Sequence, residues 1–250
     1  MKLDDLVAYL DDYLRVHETG DERLALNGLQ VENSGDVRQV AIAVDACQAV
    51  IDQAAERGAD LLLVHHGLFW GGLEPVRGRL YRKLAALVRH DVAVYSAHLP
   101  LDRHPEVGNN AVLARRLGME VRGWWGEYEG APIGVWGELD ATREELAALI
   151  AEVLGVAPRL IAGGEERVHR VGIITGSGGE MITAAKDAGL DAFVTGEGQH
   201  WTYFDAEELA LNVYFAGHYA TETVGVKALA EHIAQRFQLP WSFVDHPTGL

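Results

Sequence analysis

The sequence predicts an α/β protein made of two related α/β halves with a short α/β insert between them. Short β-branched, apolar runs alternate with helical patterns along the chain, the signature of βαβ units and parallel pairing. The length, 250 residues, suits one large or two small domains. The third observation is internal: Val40 to Trp70 aligns without a gap on Val171 to Trp201, with eight identities in 31 positions, among them Ile42/Ile173, Ile51/Ile182, Gly58/Gly189 and Asp60/Asp191. Val94-Tyr95-Ser96-Ala97-His98 followed by Asp102 then has a counterpart in Val213-Tyr214-Phe215-Ala216-Gly217-His218 followed by Glu222. Each copy is an apolar strand ending in His-x-x-x-acid, followed by a Val-Gly pair that opens a helix.

In chain order, Leu3, Leu6, Val7, Leu10 and Leu14 fall at helical spacing and predict an amphipathic helix over 3–14 with acidic residues outward. A polar stretch holding Asn27-Gly28-Leu29-Gln30-Val31 precedes a buried strand over 40–44, a helix over 46–56 stopped at Gly58, and a second strand over 61–64. Strand, helix, strand in so few residues is a right-handed βαβ unit. A helix over 80–89, a strand over 92–96 and a helix over 108–117 continue the pattern. Residues 132–136 read as a strand, 142–154 as a helix with Thr142 and Glu145 spaced as a capping box, and 159–161 as a strand. The tail over 241–244 reads as an edge strand. The expected divisions are 1–125, an insert over 126–165, and 166–250.

Composition narrows the function. With 21 basic and 37 acidic residues the net charge is −16, which repels phosphate backbones and anionic lipid headgroups and attracts divalent cations. Arg77, Arg79, Arg82 and Lys83 form the one basic cluster. Cys47 is the only cysteine, so no internal disulfide and no thiolate zinc cage can form, and metal ligands must be N and O atoms. The start is acidic rather than leader-like and no apolar run approaches a membrane span, so a cytoplasmic location is expected.

The 11 histidines then decide where to look. His65 and His66 end one apolar strand; adjacent strand residues point to opposite faces, so one metal takes both only if the chain turns. His98 with Asp102, and His218 with Glu222, share an i, i+4 spacing that places both side chains on one face of a helical turn, although Pro100 argues against regular helix in the first pair. Ligands in α/β folds lie beyond the carboxyl ends of strands, where all these residues fall. Imidazoles and carboxylates without thiolates suit two divalent ions such as Zn, Fe, Mn or Co. One workable division gives His66 and Asp102 to one ion, His65 and His218 to the other, with Glu222 bridging. Such a pair, roughly 3.5 to 4 Å apart, supports hydrolase chemistry. His98 is left as a weak ligand or a general acid/base. Glu197, in Thr195-Gly196-Glu197-Gly198, is either an orienting group at the site or a solvated loop acid. The loop Thr175-Gly176-Ser177-Gly178-Gly179 is a weak candidate for holding an anion on backbone N–H groups. His104 and His200 are close enough in sequence to line the crevice.

At these residues the sequence resembles the Nif-three-like family of dinuclear metal-centre proteins, also called GTP cyclohydrolase I type 2 homologues. The matching pieces are Asn27-Gly28-Leu29-Gln30-Val31, Val64-His65-His66-Gly67, His98-Leu99-Pro100-Leu101-Asp102, Gly108-Asn109-Asn110, Thr195-Gly196-Glu197 and Gly217-His218-Tyr219-Ala220-Thr221-Glu222. The resemblance implies two related α/β domains, two divalent ions per subunit ligated by His65, His66, Asp102, His218 and Glu222, and a toroidal homohexamer with its metal sites facing an internal cavity. The expected function is a metal-dependent hydrolase acting on a small molecule, with His98 and Glu197 as catalytic candidates; a non-catalytic metal-binding or partner-binding scaffold is the alternative. A nucleic-acid-binding ring is disfavoured by the charge.

Overall fold

Among residues 1–70, 72 and 74–249, which the computed structural model describes, the chain runs α1 (Leu3–Tyr13), β1 (Gly28–Val31), β2 (Val40–Asp45), α2 (Gln48–Glu56), β3 (Leu61–His66), α3 (Gly78–His90), β4 (Ala93–Ser96), α4 (Leu99–Asp102) and α5 (Asn109–Arg116). It continues with β5 (Glu120–Tyr128), β6 (Ala131–Thr142), α6 (Arg143–Leu154), β7 (Arg159–Ala162), β8 (Arg167–Ile174), α7 (Ile182–Asp187), β9 (Ala192–Thr195), α8 (Thr202–Glu208), β10 (Asn212–Phe215), α9 (His218–Phe237) and β11 (Trp241–Phe243). The protein is a mixed α/β fold with two sheets, of strand order β1-β4-β3-β2-β11 and β5-β6-β8-β9-β10-β7. Contacts divide the chain into one unit of residues 1–107 and 226–246 and a second of 108–225 with the residues from Pro247.

In the first unit β2, β3 and β4 are parallel, with Val40 opposite Leu61 and Leu61 opposite Ala93. Both faces of this sheet are covered, so its strands are almost continuously apolar. Alternate residues serve opposite cores. Ile42, Leu61, Leu63 and Tyr95 pack with Leu6 and Leu10 of α1 and with Leu229 and Ile233 of α9. Ala43, Leu62, Val64 and Val94 pack with Val50 and Ile51 of α2 and Leu87 of α3. Each fully buried Leu or Ile contributes roughly 1.5–3 kcal/mol of transfer free energy. β11 closes the edge parallel to β2.

The second unit repeats the parallel triplet. Val171 lies opposite Ala192, and Ala192 opposite Asn212. The pairs Val40/Val171 and Leu61/Ala192 carry the displacement that aligns the two sequence copies, and Ala93 and Asn212 each stand one residue before the matched Val94 and Val213. Strand register therefore accords with the internal correspondence. β5, β6 and β7 are part of the second sheet: β6 pairs with β5 on one side and β8 on the other, and β7 pairs with β10. The unit limits thus differ from the divisions expected at 125/126 and 165/166. β6 is also longer than the expected strand over 132–136, because partners on both sides satisfy its backbone and register shifts accommodate the extra length.

The helix starting at Thr142 has the expected capping box, with the Thr142 hydroxyl accepting from the Glu145 N–H and the Glu145 carboxylate accepting from the Thr142 N–H. Pro100 does not prevent a helical turn at α4, because it sits in the first turn, where its missing N–H costs nothing. No helix of the described residues is long and apolar enough to cross a membrane.

The cap and one packed histidine can each be tested in solution. Thr142→Ala should lower folding stability by about 1 kcal/mol, read as a shift in urea midpoint at constant m; an unchanged midpoint would show the cap to be dispensable. On α9, His232 stacks on Tyr13 at 4.1 Å and shares a 2.5 Å hydrogen bond with the Tyr9 hydroxyl. Burial lowers its pKa from 6.5, which the charge of Glu106 opposes and Arg236 reinforces. Its contribution to stability is accordingly complete above 6.5 and lost as pH falls through the lowered native value. An NMR titration should place the His232 midpoint below 6.5; a midpoint at or above that value contradicts the packing argument.

Candidate metal centre

β3 does not stop at Val64 but runs through His65 and His66, because Asp45 at the end of β2 pairs in register with His66. Strict alternation would separate the two imidazoles, yet their ring centroids are 4.6 Å apart at the strand end, just before the bend at Leu68. The chain turns there against Gln30, whose side-chain carbonyl accepts from the Leu68 N–H at 2.6 Å. A Cβ on Gly67 would meet the Gln30 amide and push that side chain away from its bond to Leu68.

One ring nitrogen of each histidine is committed. His65, fully buried, places Nδ1 at 2.8 Å from the Ala97 carbonyl. His66 Nδ1 lies 2.9 Å from Asp45 Oδ1, and His98 Nδ1 lies 2.8 Å from Asp21 Oδ1. Carbonyl and carboxylate oxygens only accept, so each Nδ1 carries the proton and the lone pair is placed on Nε2. This is the arrangement of metal-ligating imidazoles, in which the bond at one nitrogen orients the other. His65, His66 and His98 each offer a ring nitrogen within 4.8 Å of the others' and could hold a metal ion. Asp102, buried on α4, brings Oδ2 to 3.6 Å from His65 Nε2. Asp102 thus stands beside His65, and the Nδ1 of His66 faces Asp45.

Asp21 does more than hold one ring. It accepts from His98 Nδ1, the Leu99 N–H and the Asn27 amide, while Asn27 Oδ1 accepts from the His98 N–H. Burial works to raise the Asp21 pKa, but the hydrogen bond and charge of His98, with Asn27 and the Glu22 N–H, outweigh it and hold the carboxyl below its usual range.

In the second unit, His218 and Glu222 sit one turn apart at the start of α9, with His218 Nε2 at 3.2 Å from Glu222 Oε1 and His218 Nδ1 at 2.8 Å from Glu197 Oε1. Burial alone would lower the His218 pKa, but hydrogen bonds and charges from Glu222 and Glu197 raise it to about 9. Carboxylates at both nitrogens call for a cation on the ring or beside it. Glu197 thus faces the His218 ring. The Thr175–Gly179 loop does not present an open anion cradle: the N–H groups of Gly176, Gly178 and Gly179 donate to Thr221 Oγ1, Thr195 Oγ1 and the Glu197 carbonyl. Its glycine instead makes room for the acid, since a Cβ on Gly176, at φ +68°, would collide with Glu222 Oε1. Asn110 secures the loop from α5, accepting from the Thr175 N–H and donating to the Ile133 carbonyl.

The other candidates stand apart from this chemistry. His104 accepts from the Glu106 and Val107 N–H groups and bonds the Tyr13 carbonyl, a packing role. His200 is exposed beside Phe204. Sequence reasoning missed Asp45 and Asp21. Asp45 was within reach, being the last residue of a parallel strand beside the one that carries His66. Asp21 lies in an irregular segment with no periodicity to mark it.

A two-sheet α/β protein whose strand ends gather oriented imidazoles and buried carboxylates is a candidate metalloprotein. The model of the Duf34/NIF3 (NGG1p interacting factor 3) family matches residues 1–248, and the chain belongs to this family. A Deinococcus radiodurans protein named GTP cyclohydrolase 1 type 2 homolog is 43% identical over 249 residues, covering 99% of this chain and 94% of that protein. Among solved structures, a structural-genomics protein titled ybgI, of unknown function, superimposes with a TM-score of 0.93 at 40% identity over 100% of both chains. A second, a Thermus thermophilus protein titled TTHA1606, gives 0.91 at 44% identity, again over 100% of both.

Glu197→Gln tests the electrostatics of the second group. In chelator-treated protein the His218 NMR titration midpoint should drop from about 9 towards 6.5, because one of its two carboxylates is neutralised. An unchanged midpoint would remove Glu197 from the site.

Proposed function

We propose that the protein is a metal-dependent hydrolase holding two divalent ions per subunit through His65, His66, Asp102, His218 and Glu222. The observation that supports this most is acceptor facing acceptor. With Nδ1 protonated, the Nε2 lone pair of His65 looks towards Asp102 at 3.6 Å. A cation is the group that satisfies both partners, and the N and O donor set suits Zn, Fe, Mn or Co. Bound divalent ions would lower the pKa of water and stabilise negative charge developing on a phosphoester, amide or cyclic C–N bond. The chain's own groups do the rest. His98, fixed by Asp21, is positioned to give or take a proton through Nε2, and Glu197 keeps the His218 ring oriented.

The name carried by the Deinococcus relative makes GTP the first substrate to assay. The toroidal homohexamer, the small-molecule substrate and the cytoplasmic location implied by the sequence belong to the same proposal. The test is elemental analysis of the purified protein, followed by turnover assays on GTP and a panel of phosphoesters with and without chelator. Wild type should turn over one of these compounds only with metal bound. Glu222→Ala should lose bound metal and activity together, whereas His98→Ala should keep the metal and slow turnover by about 10²–10⁴-fold. A full metal complement in Glu222→Ala would overturn the ligand set. Metal without metal-dependent turnover would favour the scaffold reading.

A further inference from the structure

In the first unit, the end of α1 and the turn after α4 enclose a cleft of about 610 Å³. One wall is Asp12 to Arg15 with Thr19, and the other is Pro100 with residues 103–106. The volume falls in the range of roughly 300–1,000 Å³ that small-molecule sites occupy. The two walls are fastened to each other. His104 Nε2 bonds the Tyr13 carbonyl at 3.0 Å, the Tyr13 hydroxyl donates to Glu106 Oε2 at 2.9 Å, and Arg103 Nη1 donates to the Gly20 carbonyl at 2.5 Å. The cleft is therefore preformed, and none of its lining residues is among the proposed metal ligands.

Its charges are balanced, and two of them are uncommitted. Asp12 and Arg15 stand three residues apart at the end of α1, and among the described residues neither side chain takes part in an ion pair or a hydrogen bond. Arg103 adds a second guanidinium and Glu106 a second carboxylate. A simple anion meets opposition from Asp12 and Glu106, and a simple cation from Arg15 and Arg103. A molecule that carries both charges finds a partner for each. Tyr13, Pro100 and Pro105 supply apolar surface beside these groups.

The main chain at Arg15 points the same way. Its φ of +52° is left-handed, just past the end of α1, where glycine is the usual occupant. The turn is held by the Arg15 carbonyl, which accepts from the Glu18 and Thr19 N–H groups at 3.0 Å. A long side chain kept where the backbone favours none indicates a use for its guanidinium.

We infer that this cleft binds a small zwitterion, a molecule with a carboxylate and a protonated amine such as an α-amino acid or a dipeptide. Arg15 takes the carboxylate, Asp12 takes the ammonium group, and the Tyr13 side receives the remainder of the molecule. The inference is independent of the proposed hydrolase function, and no metal takes part in it.

The test is thermal shift and isothermal titration of the purified protein with the common α-amino acids and a panel of dipeptides, before and after chelator treatment. At least one compound should raise the unfolding temperature with increasing concentration, equally in both preparations. The stronger binder among amino acids and dipeptides identifies the source of the zwitterion. Its N-acetyl and amide derivatives, each lacking one charge, should bind at least about tenfold more weakly. Arg15→Gly and Asp12→Asn should each weaken binding by a similar factor. Glycine suits the left-handed backbone, so Arg15→Gly removes the guanidinium and keeps the fold, which circular dichroism checks. The proposal is overturned if no zwitterion binds, if binding disappears with chelator, if a single-charge derivative or inorganic phosphate binds as tightly, or if either variant binds like wild type.

Discussion

Each of His65, His66, His98 and His218 has Nδ1 committed to an acceptor, namely a main-chain carbonyl, Asp45, Asp21 and Glu197 in turn. That commitment decides the tautomer, the ring orientation and the chemistry of Nε2 together. It also explains why the surroundings are polar where the fold would tolerate apolar packing. A buried imidazole with one satisfied nitrogen still needs a partner for the other, and the carboxylates Asp102 and Glu222 supply negative charge rather than a proton. The proximity of Asp102 to the His65 lone pair is unfavourable by itself and becomes favourable around a cation, while His218 between Glu197 and Glu222 already favours a positive charge on the ring.

The sheets exist to place these groups. β3 carries its histidines on the last two positions of a strand buried on both faces, and β2 beside it delivers Asp45 in register. α4 and the start of α9 each turn a carboxylate towards a histidine through a single helical turn or its surroundings. Gly67 and Gly176 remove the side chains that would collide with Gln30 and Glu222. Neither glycine contributes a functional group. Both allow the backbone to come close enough for one that does.

Much of this was legible in the sequence because its signals are local. Apolar β-branched runs located β2, β3, β4 and β10, the Thr142/Glu145 spacing located α6, and the His-x-x-x-acid spacing located the His218–Glu222 pair, whereas Asp102 lies beside His65 and His98 against Asp21. What escaped depends on tertiary placement. The length of β6 follows from partners on both sides, and the membership of β5, β6 and β7 in the second sheet follows from pairing that periodicity does not encode. Asp21 reaches His98 from a segment without regular structure, 77 residues away in the chain. The weak anion signal of the Thr175–Gly179 loop fails for a related reason, as its N–H groups are consumed by Thr195, Thr221 and a carbonyl that only the folded chain brings near.

The most direct test of the account is anomalous diffraction from crystals of the protein grown or soaked with zinc or manganese. The account requires anomalous density within bonding distance of Nε2 of His65, His66 and His218, roughly 2.0–2.1 Å for zinc, with Nδ1 of each still hydrogen-bonded to its present acceptor. Density at an Nδ1 atom, or none at these three histidines, would contradict it.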